Sequence, residues 1–171
     1  SPAQRDDILR VVRSQPERGL DQLRSPDEQI HRAGLQIIEA TAGSPEGRIT
    51  PDCLGLWSDA NAAALGRVLD GVRRHSTMPL AIQLAHAGRK ASSAVPWAGG
   101  QLLSAEEGGW TCVAPSALAY SATEPAPTAL DADGLARIRD AFVAAARRAA
   151  RIGLDCIELH GAHGYLLHEF L

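Results

Sequence analysis

Two histidines and a tyrosine near the end of the sequence have side chains that could carry out chemistry. His160, His163 and Tyr165 follow an apolar run, and Gly161 and Gly164 lie on either side of the second histidine. Imidazoles and a phenol donate hydrogen bonds, and such neutral donors suit a carbonyl oxygen that gains negative charge during a reaction. A tyrosine with a pKa near ~10 is a poor base at neutral pH but a usable proton donor to a carbanion or enolate. Taken singly, each residue is as consistent with a packing role as with a catalytic one.

The rest of the sequence does not favour other chemistries for these residues. His160 and His163 could bind zinc together, but a catalytic zinc needs a third protein ligand. The sequence has neither a His-Glu-x-x-His nor a Cys-x-x-Cys pattern, and His86 could complete such a site only by a coincidence of folding. It also has no Gly-x-Ser-x-Gly elbow, and no Gly-x-Gly-x-x-Gly follows the first predicted strand. We therefore expect no metal ion, and neither a serine hydrolase nor a dinucleotide-binding Rossmann domain.

Alternating strands and helices must position these groups. Short apolar runs predict strands over 35–42, 80–85 and 155–159, and helical spacing predicts helices from Ser58 and over 131–152. The apolar helix positions are Ala62, Leu65, Val68, Leu69 and Val72, then Leu135, Ile138, Phe142, Ala146 and Ala149. Strands that alternate with helices predict a parallel sheet, and strands that are apolar nearly throughout predict burial on both faces. The predicted fold class is therefore α/β, built from parallel βα units.

In βα folds, ligands bind at the carboxyl ends of the strands. The candidate residues at those ends are Ala40 and Thr41, then Gln83 and His86, then His160, His163 and Tyr165. An amide, imidazoles and a phenol suit hydrogen bonding to a planar heterocycle. The irregular stretch 91–128 is predicted to be an ordered excursion, because loops of this length are usually functional and this one carries Trp97 and Trp110. Residues 1–32 are predicted to be a helical segment without chemistry.

Composition excludes several classes of partner. The 171 residues suit one domain, and a net charge of -3 implies no basic face for nucleic acid or an anionic membrane. The aromatic content of 4% is low for base stacking. No apolar run is long enough to span a membrane, and the start of the chain does not resemble a signal peptide. Three cysteines without a pairing motif fit a reducing compartment, so a cytoplasmic location is expected.

A series of motifs resembles the Old Yellow Enzyme family, and most closely its bacterial branch of xenobiotic reductases. The motifs are E-A-T-A at 39–42, S-P-E-G-R-I-T-P at 44–51, L-W-S-D at 56–59, I-Q-L-A-H-A-G-R-K at 82–90, A-P-S-A at 114–117 and E-L-H-G-A-H-G-Y-L at 158–166. The resemblance covers residues 33–171. It implies a partial FMN-binding domain over that range, with the parallel βα units belonging to a TIM (β/α)8 barrel.

The resemblance also implies an activity and a role for each candidate residue. The family passes hydride from NADPH or NADH to FMN, and from flavin N5 to an activated alkene or a related nitro compound. Ala40 would then contact the flavin, Gln83 would bind its pyrimidine edge, and His160 would lie against both flavin and substrate. His160 and His163 would hold the substrate oxygen, and Tyr165 would supply the proton. Trp57 and Arg48, which also lie in family motifs, are predicted to have structural roles.

Two features depart from the family pattern. Residues 1–32 show nothing similar to the family's first strand, and the family continues past Leu171 through an arginine beside the flavin and the loops that hold the FMN phosphate. Such a barrel takes about 250 residues, so an incomplete barrel is expected, roughly its first half. Three hypotheses stay open: a segment of an ene-reductase, half of a split barrel that needs a partner chain or a second copy, and a non-catalytic remnant.

Overall fold

A parallel three-stranded sheet, covered by two helices, forms the body of the chain. The computed structural model describes residues 35–171. Its elements in chain order are β1 (Gln36–Ala42), α1 (Asp59–Arg73), β2 (Leu80–Ala85), β3 (Val113–Ala114), β4 (Thr128–Ala129), α2 (Ala132–Arg151) and β5 (Cys156–Leu159). The main sheet has the order β1-β2-β5 and all its pairings are parallel. The predicted βαβαβ order and the parallel sheet are therefore confirmed. The predicted helical segment 1–32 lies outside the described residues.

Both helices pack on one face of this sheet. Alternate residues of β2 point into the core with residues of both helices; the core consists of Leu56, Ala62, Leu65, Leu69, Leu80, Ile82, Leu84, Ala145 and Ala149. Because side chains alternate between the two faces of a strand, Ala81, Gln83 and Ala85 point to the opposite face. We call that opposite face the inner face of the sheet. It is the face that carries polar side chains, Gln83 among them.

The prediction that all strands are buried on both faces was right for β2 alone. Every residue of β2 is buried, whereas β1 and β5 are only partly buried. The reason is their position, because β2 is the central strand and each of the other two has one strand neighbour within residues 35–171. Val68, Val72 and Leu135 were also expected to face the core, but they are exposed. The face of each helix that packs against the sheet is narrower than the apolar pattern of its sequence suggests.

The helix ends follow the local sequence. The Ser58 hydroxyl accepts a hydrogen bond from the Asn61 main-chain N–H at 3.1 Å, so Ser58 caps α1 and Asp59, the other capping residue predicted, is its first residue. Asp131 caps α2 in the same way, through the N–H of Gly134 at 2.7 Å. Gly153 follows the end of α2 with φ of +81°, a left-handed conformation that glycine adopts without steric cost. No helix among residues 35–171 is both apolar and long enough to cross a bilayer.

The excursion over 91–128 is ordered, as expected. Short 3-10 turns and the β3–β4 pair interrupt it. The hydroxyl of the fully buried Ser92 accepts a hydrogen bond from the main-chain N–H of Trp110 at 2.8 Å. This bond joins two parts of the excursion that are 18 residues apart in the sequence. The Trp110 indole in turn donates to the carbonyl oxygen of Glu46 at 2.9 Å. This hydrogen bond holds the excursion against the loop that follows β1.

Arg48 organises that loop from between two indole rings. Its guanidinium carbon lies 4.5 Å from the ring centre of Trp110 and 5.4 Å from that of Trp57. The same side chain donates to the carbonyl oxygens of Pro45 and Pro51, each at 2.8 Å. Cation–π contacts and hydrogen bonds to carbonyls hold a loop in one conformation. These contacts support a structural role for Arg48 and Trp57.

Candidate active site

The loop after β5 brings the two histidines and the tyrosine together. We call residues 160–166 the histidine loop. The main-chain N–H of His160 donates to the Leu84 carbonyl at 2.9 Å, so the sheet ladder itself fixes the start of the loop. His163 has φ of +59° and Gly164 has φ of +68°, and these left-handed residues turn the chain back on itself. The turn places the second imidazole beside the first.

The three rings form a compact group with edge-to-face packing. The ring centres of His160 and His163 are 4.9 Å apart, and those of His160 and Tyr165 are also 4.9 Å apart. The centres of His163 and Tyr165 are separated by 6.1 Å. His160 is buried, Tyr165 is half-buried and His163 is exposed. The group can therefore present its donors to a ligand from one side.

The surroundings favour the neutral forms of His160 and Tyr165. Burial lowers the pKa of His160, and the neighbouring His163 lowers it further, while Glu158 and Glu39 act weakly in the opposite direction. Burial raises the pKa of Tyr165, and Cys53 raises it further. A neutral imidazole and a protonated phenol are hydrogen-bond donors at neutral pH. A neutral His160 and a protonated Tyr165 can therefore both donate hydrogen bonds to a ligand.

Gln83 lies on the inner face of the sheet, on the strand next to the histidine loop. Gln83 pairs with Glu158 in the register of the parallel strands β2 and β5. His160 follows Glu158 by two residues, so its side chain lies on the same face. The Gln83 Nε2 atom donates to the Glu158 carboxylate at 3.2 Å. Ala40 is half-buried and lies on the neighbouring strand, where the β1–β2 register shifts between Ile38 and Thr41. The candidate residues Ala40, Gln83 and His160 therefore lie on, or directly after, three adjacent strands, near the same edge of the sheet.

Among residues 35–171 the His86 ring does not pack against the three rings of the histidine loop, although the His86 carbonyl oxygen accepts from the N–H of Leu166 in that loop at 3.0 Å. His86 is buried, and its Nδ1 accepts from the main-chain N–H of Gly88 at 3.1 Å. Burial lowers the pKa of His86 to about 4, and Glu46 opposes the shift weakly. Thr41, within β1, is likewise fully buried. Within residues 35–171, no three or more His, Cys, Asp or Glu side chains are grouped so that they could hold a metal ion.

A cleft of about 530 Å³ opens beside the histidine loop. His163, Tyr165 and Lys90 line it, together with Tyr120 from the excursion. The Lys90 ammonium lies 4.7 Å from the centre of the Tyr120 ring. A cleft with apolar walls and a few convergent polar groups is the usual form of a small-molecule site. One wall therefore comes from the excursion and the other from the histidine loop.

The residues present fit a flavin. Among residues 35–171 the Gln83 amide has one hydrogen-bond partner, so its oxygen and its second N–H stay available on the inner face. An amide can bind the pyrimidine edge of a flavin through such a donor and acceptor. Gln83 and Ala40 would hold the ring, and His160 would lie beside it. Flavin supplies two-electron hydride chemistry when it is bound.

Sequence reasoning did not single out two residues that contact the candidate site residues. Glu158 was treated as part of an apolar strand, although a charged residue within such a strand is a signal in itself. Lys90 was noted only as part of a motif, yet its ammonium donates to the His163 carbonyl at 2.7 Å. No spacing rule connects Lys90 with a loop that lies more than seventy residues further along the chain.

Known proteins resemble this chain in sequence and in structure. The profile of the NADH:flavin oxidoreductase / NADH oxidase family matches residues 26–171, beginning upstream of the predicted boundary at residue 33. A NADH:flavin oxidoreductase from Gibberella zeae is 46% identical over 142 residues, which are 81% of this chain and 34% of that protein. A NADPH dehydrogenase from Halalkalibacterium halodurans is 41% identical over 140 residues, 82% of this chain and 36% of that protein.

The fold agrees with the sequence match. Morphinone reductase in complex with tetrahydroNAD superimposes with a TM-score of 0.66 at 32% identity, over 81% of this chain and 39% of that one. The solved structures that resemble this chain are TIM-barrel enzymes, and the parallel strands found here fit that fold. This chain spans about a third of the length of the curated relatives that it matches. By its sequence profile, its relatives and its fold, the chain belongs to the NADH:flavin oxidoreductase / NADH oxidase family, the family of Old Yellow Enzyme.

Proposed function

We propose that the chain contributes the substrate-side part of an FMN-dependent NAD(P)H oxidoreductase of the ene-reductase type. The observation that carries the proposal is the packing of the His160 ring against both His163 and Tyr165, in the loop directly after β5, which pairs with the strand of Gln83. A set of neutral donors beside an amide that can bind a flavin suits the reduction of an electron-poor alkene. Family membership supports the cofactor, and NADPH and NADH stay equally open as the reductant.

Each residue of the site has a role in this proposal. Gln83 and Ala40 would bind the flavin ring, and bound flavin would supply the hydride chemistry that links NAD(P)H to the β-carbon of the alkene. His160 and His163 donate hydrogen bonds to the carbonyl or nitro oxygen of the substrate, and so they stabilise the negative charge that builds up there. Tyr165 gives its phenolic proton to the α-carbon. The substrate is thus a small molecule with an activated alkene or a nitro group.

The donor arrangement matches the charge that this reaction creates. Hydride arriving at the β-carbon pushes electrons onto the substrate oxygen, and uncharged donors can stabilise that oxygen without holding the product too tightly. The raised pKa of Tyr165 keeps its proton in place until the α-carbon becomes basic. Burial of His160 strengthens its hydrogen bonds, because the local dielectric constant is low.

The βα units are proposed to form part of a TIM barrel in which the inner face of the sheet looks toward the barrel axis. The parallel order β1-β2-β5 and the placement of both helices on the other face support this arrangement. Ligands bind at the carboxyl ends of barrel strands, where Gln83 and the histidine loop lie. An intact active site would then combine these residues with others of the same barrel.

Flavin binding tests the proposal directly. The purified chain would be titrated with FMN while the flavin absorbance and fluorescence are followed, and NADPH or NADH would then be added without oxygen. We expect a shifted flavin band that either nicotinamide bleaches and that a cyclic enone restores. A bleached flavin that the enone does not reoxidise would rule out the ene-reductase assignment.

The same sample separates the alternatives. Light scattering with FMN bound would identify a monomer, a homo-oligomer or a complex with a complementing barrel fragment. A flavin site that forms only in an assembly would favour half of a split barrel. A chain that retains no flavin after saturation with FMN and removal of the unbound flavin would favour the non-catalytic remnant, or a segment too incomplete to bind flavin.

A further inference from the structure

We propose that Glu158 is a positioning residue, which orients the Gln83 amide so that the site selects a ligand with an imide edge. An imide edge is an N–H group next to a carbonyl, as in the pyrimidine ring of a flavin. This inference rests on the proposed function, because it states how the flavin would be recognised. It assigns a role to a carboxylate that the reaction itself does not use.

The geometry places the two side chains in contact by register. Gln83 and Glu158 are directly paired across β2 and β5, so both side chains leave the sheet on the same face. That face is the inner one, because Leu84 and Ile82 of β2 point into the helix-covered core. The Nε2 atom of Gln83 lies 3.2 Å from Oε1 of Glu158. Gln83 is buried, so its amide is held largely away from bulk water.

The chemistry of the pair determines which way the amide faces. An ionised carboxylate only accepts hydrogen bonds, so the nitrogen of the amide must face Glu158. Rotating the amide by half a turn would bring its oxygen against the carboxylate oxygens, which repel it. Hydrogen bonds with one charged partner are roughly twice as strong as those between neutral groups. The carboxylate therefore holds Gln83 in one of its two amide orientations.

The orientation leaves one acceptor and one donor for a ligand. The carboxylate takes one amide hydrogen, and the Gln83 oxygen and the second hydrogen have no partner among residues 35–171. The oxygen accepts from an imide N–H, and the hydrogen donates to the adjacent imide carbonyl. Glu39, on the opposite neighbouring strand, makes no hydrogen bond with Gln83 among those residues. Glu39 thus provides a matched control carboxylate on the same sheet.

Binding of two flavins tests the selectivity. FMN and N3-methyl-FMN, which lacks the imide N–H, would be titrated against wild type, E158L, E158Q, Q83L, E39L and the double variant Q83L/E158L. Loss of one hydrogen bond corresponds to about a tenfold preference for FMN in the wild type. We expect the preference to fall toward one in E158L and Q83L. It should be retained in E39L and largely retained in E158Q, which keeps an acceptor oxygen.

The double variant separates positioning from stability. If Glu158 acts through Gln83, Q83L/E158L discriminates no less than Q83L alone. If E158L weakens both flavins equally, or weakens them further in the Q83L background, Glu158 has only a structural role and the inference is wrong.

A second measurement needs no flavin. The side-chain amide signals of Gln83 in a ¹H–¹⁵N spectrum would be assigned by their absence in Q83L. We expect one amide proton to be shifted downfield and to move in E158Q but not in E39L. If the chemical shift of the Gln83 amide is the same in E158Q as in wild type, the inference is contradicted even if FMN binds well. If FMN does not bind while the signal responds, the contact stands, and both the flavin selectivity and the proposed function fail.

Discussion

The ammonium of Lys90 holds the histidine loop by its main chain, because it donates to the carbonyl oxygen of His163 across 2.7 Å. His163 is the residue with φ of +59°, so the bond stabilises a backbone conformation that costs energy without it. Lys90 comes from the loop after β2, whereas His163 comes from the loop after β5. The contact therefore joins two strand ends and sets the position of the second imidazole.

Replacing Lys90 by methionine should loosen that position. We expect K90M to lower the free energy of unfolding by about 0.5–1.5 kcal/mol, since the exposed His163 carbonyl loses a charged hydrogen-bond donor. Binding of the substrate should weaken more than binding of flavin, because the proposed flavin ligand Gln83 lies on β2 and not in the histidine loop. Phenol binding and FMN binding, each measured by titration, check this. R139M is the control, since Arg139 is an exposed helix residue paired with Asp140; equal weakening of both ligands by K90M would contradict the prediction.

Gly164 tests the backbone of the same loop. Its φ of +68° is unfavourable for any residue with a Cβ, and an added Cβ would lie 3.2 Å from the Lys90 ammonium nitrogen. We expect G164A to cost about 1–2 kcal/mol of stability. The matched variant is G161A in the same loop, where an added Cβ meets nothing within 4 Å and φ is not positive. Urea unfolding of both variants measures the difference, and similar costs for the two would show that the left-handed turn is not required.

Tyr165 should matter for one half-reaction only. As the proton donor, it acts when the alkene is reduced and not when NAD(P)H reduces the flavin. Y165F should therefore slow alkene reduction by roughly 10²–10⁴-fold, the usual contribution of a general acid, and leave flavin reduction nearly unchanged. Stopped-flow absorbance resolves the two steps. Equal slowing of both would exclude the tyrosine as the acid.

The two histidines should be needed together for binding of phenols. A phenolate above the flavin gives a long-wavelength charge-transfer band, and the imidazoles are expected to hold its oxygen. H160A/H163A should lose that band while the flavin stays bound, which an absorbance titration with a phenol would show. H75A serves as the control, because His75 is exposed at the end of α1, away from the histidine loop. A band that persists in the double variant would give the pair another role.

His86 should make the stability of the fold depend on pH. Its pKa falls from the ordinary value of 6.5 to about 4 in the folded chain, mainly through burial. The unfolded chain therefore binds the extra proton between those values, so stability is complete above pH 6.5 and is lost as the pH falls toward 4. The depressed pKa corresponds to roughly 3 kcal/mol over this window.

H86N isolates this effect from other groups that titrate in acid. Asparagine keeps an acceptor for the Gly88 N–H but does not titrate, so the difference in unfolding free energy between wild type and variant should shrink from pH 7.5 to pH 4.5. Urea unfolding at several pH values measures it. H75N, at an exposed position, should leave the slope unchanged; a slope that persists in H86N would assign the pH dependence to other groups.

The pattern of the sequence predicted the βαβαβ order, the parallel sheet, a cap at Ser58 or Asp59 and the clustering of His160, His163 and Tyr165. These features depend on short-range signals: apolar periodicity sets the element type, capping residues set the ends, and parallel strands bring their carboxyl ends to one edge. The exposure of Val68 and Leu135 was not predictable in this way. Periodicity shows that a helix has an apolar stripe, but not how wide a sheet covers it.

Only the tertiary structure decided the relationships between distant segments. The pairing of Gln83 with Glu158, the bond from Lys90 to His163 and the separation of His86 from the other histidines each depend on strand register and loop conformation. A register that moved by one residue would turn Gln83 and Glu158 to opposite faces of the sheet, while the composition and motifs stayed the same. The amino-acid sequence thus determined which groups are available for chemistry, and the packing of the sheet determined which of them meet, because contacts between distant residues depend on geometry that no local pattern encodes.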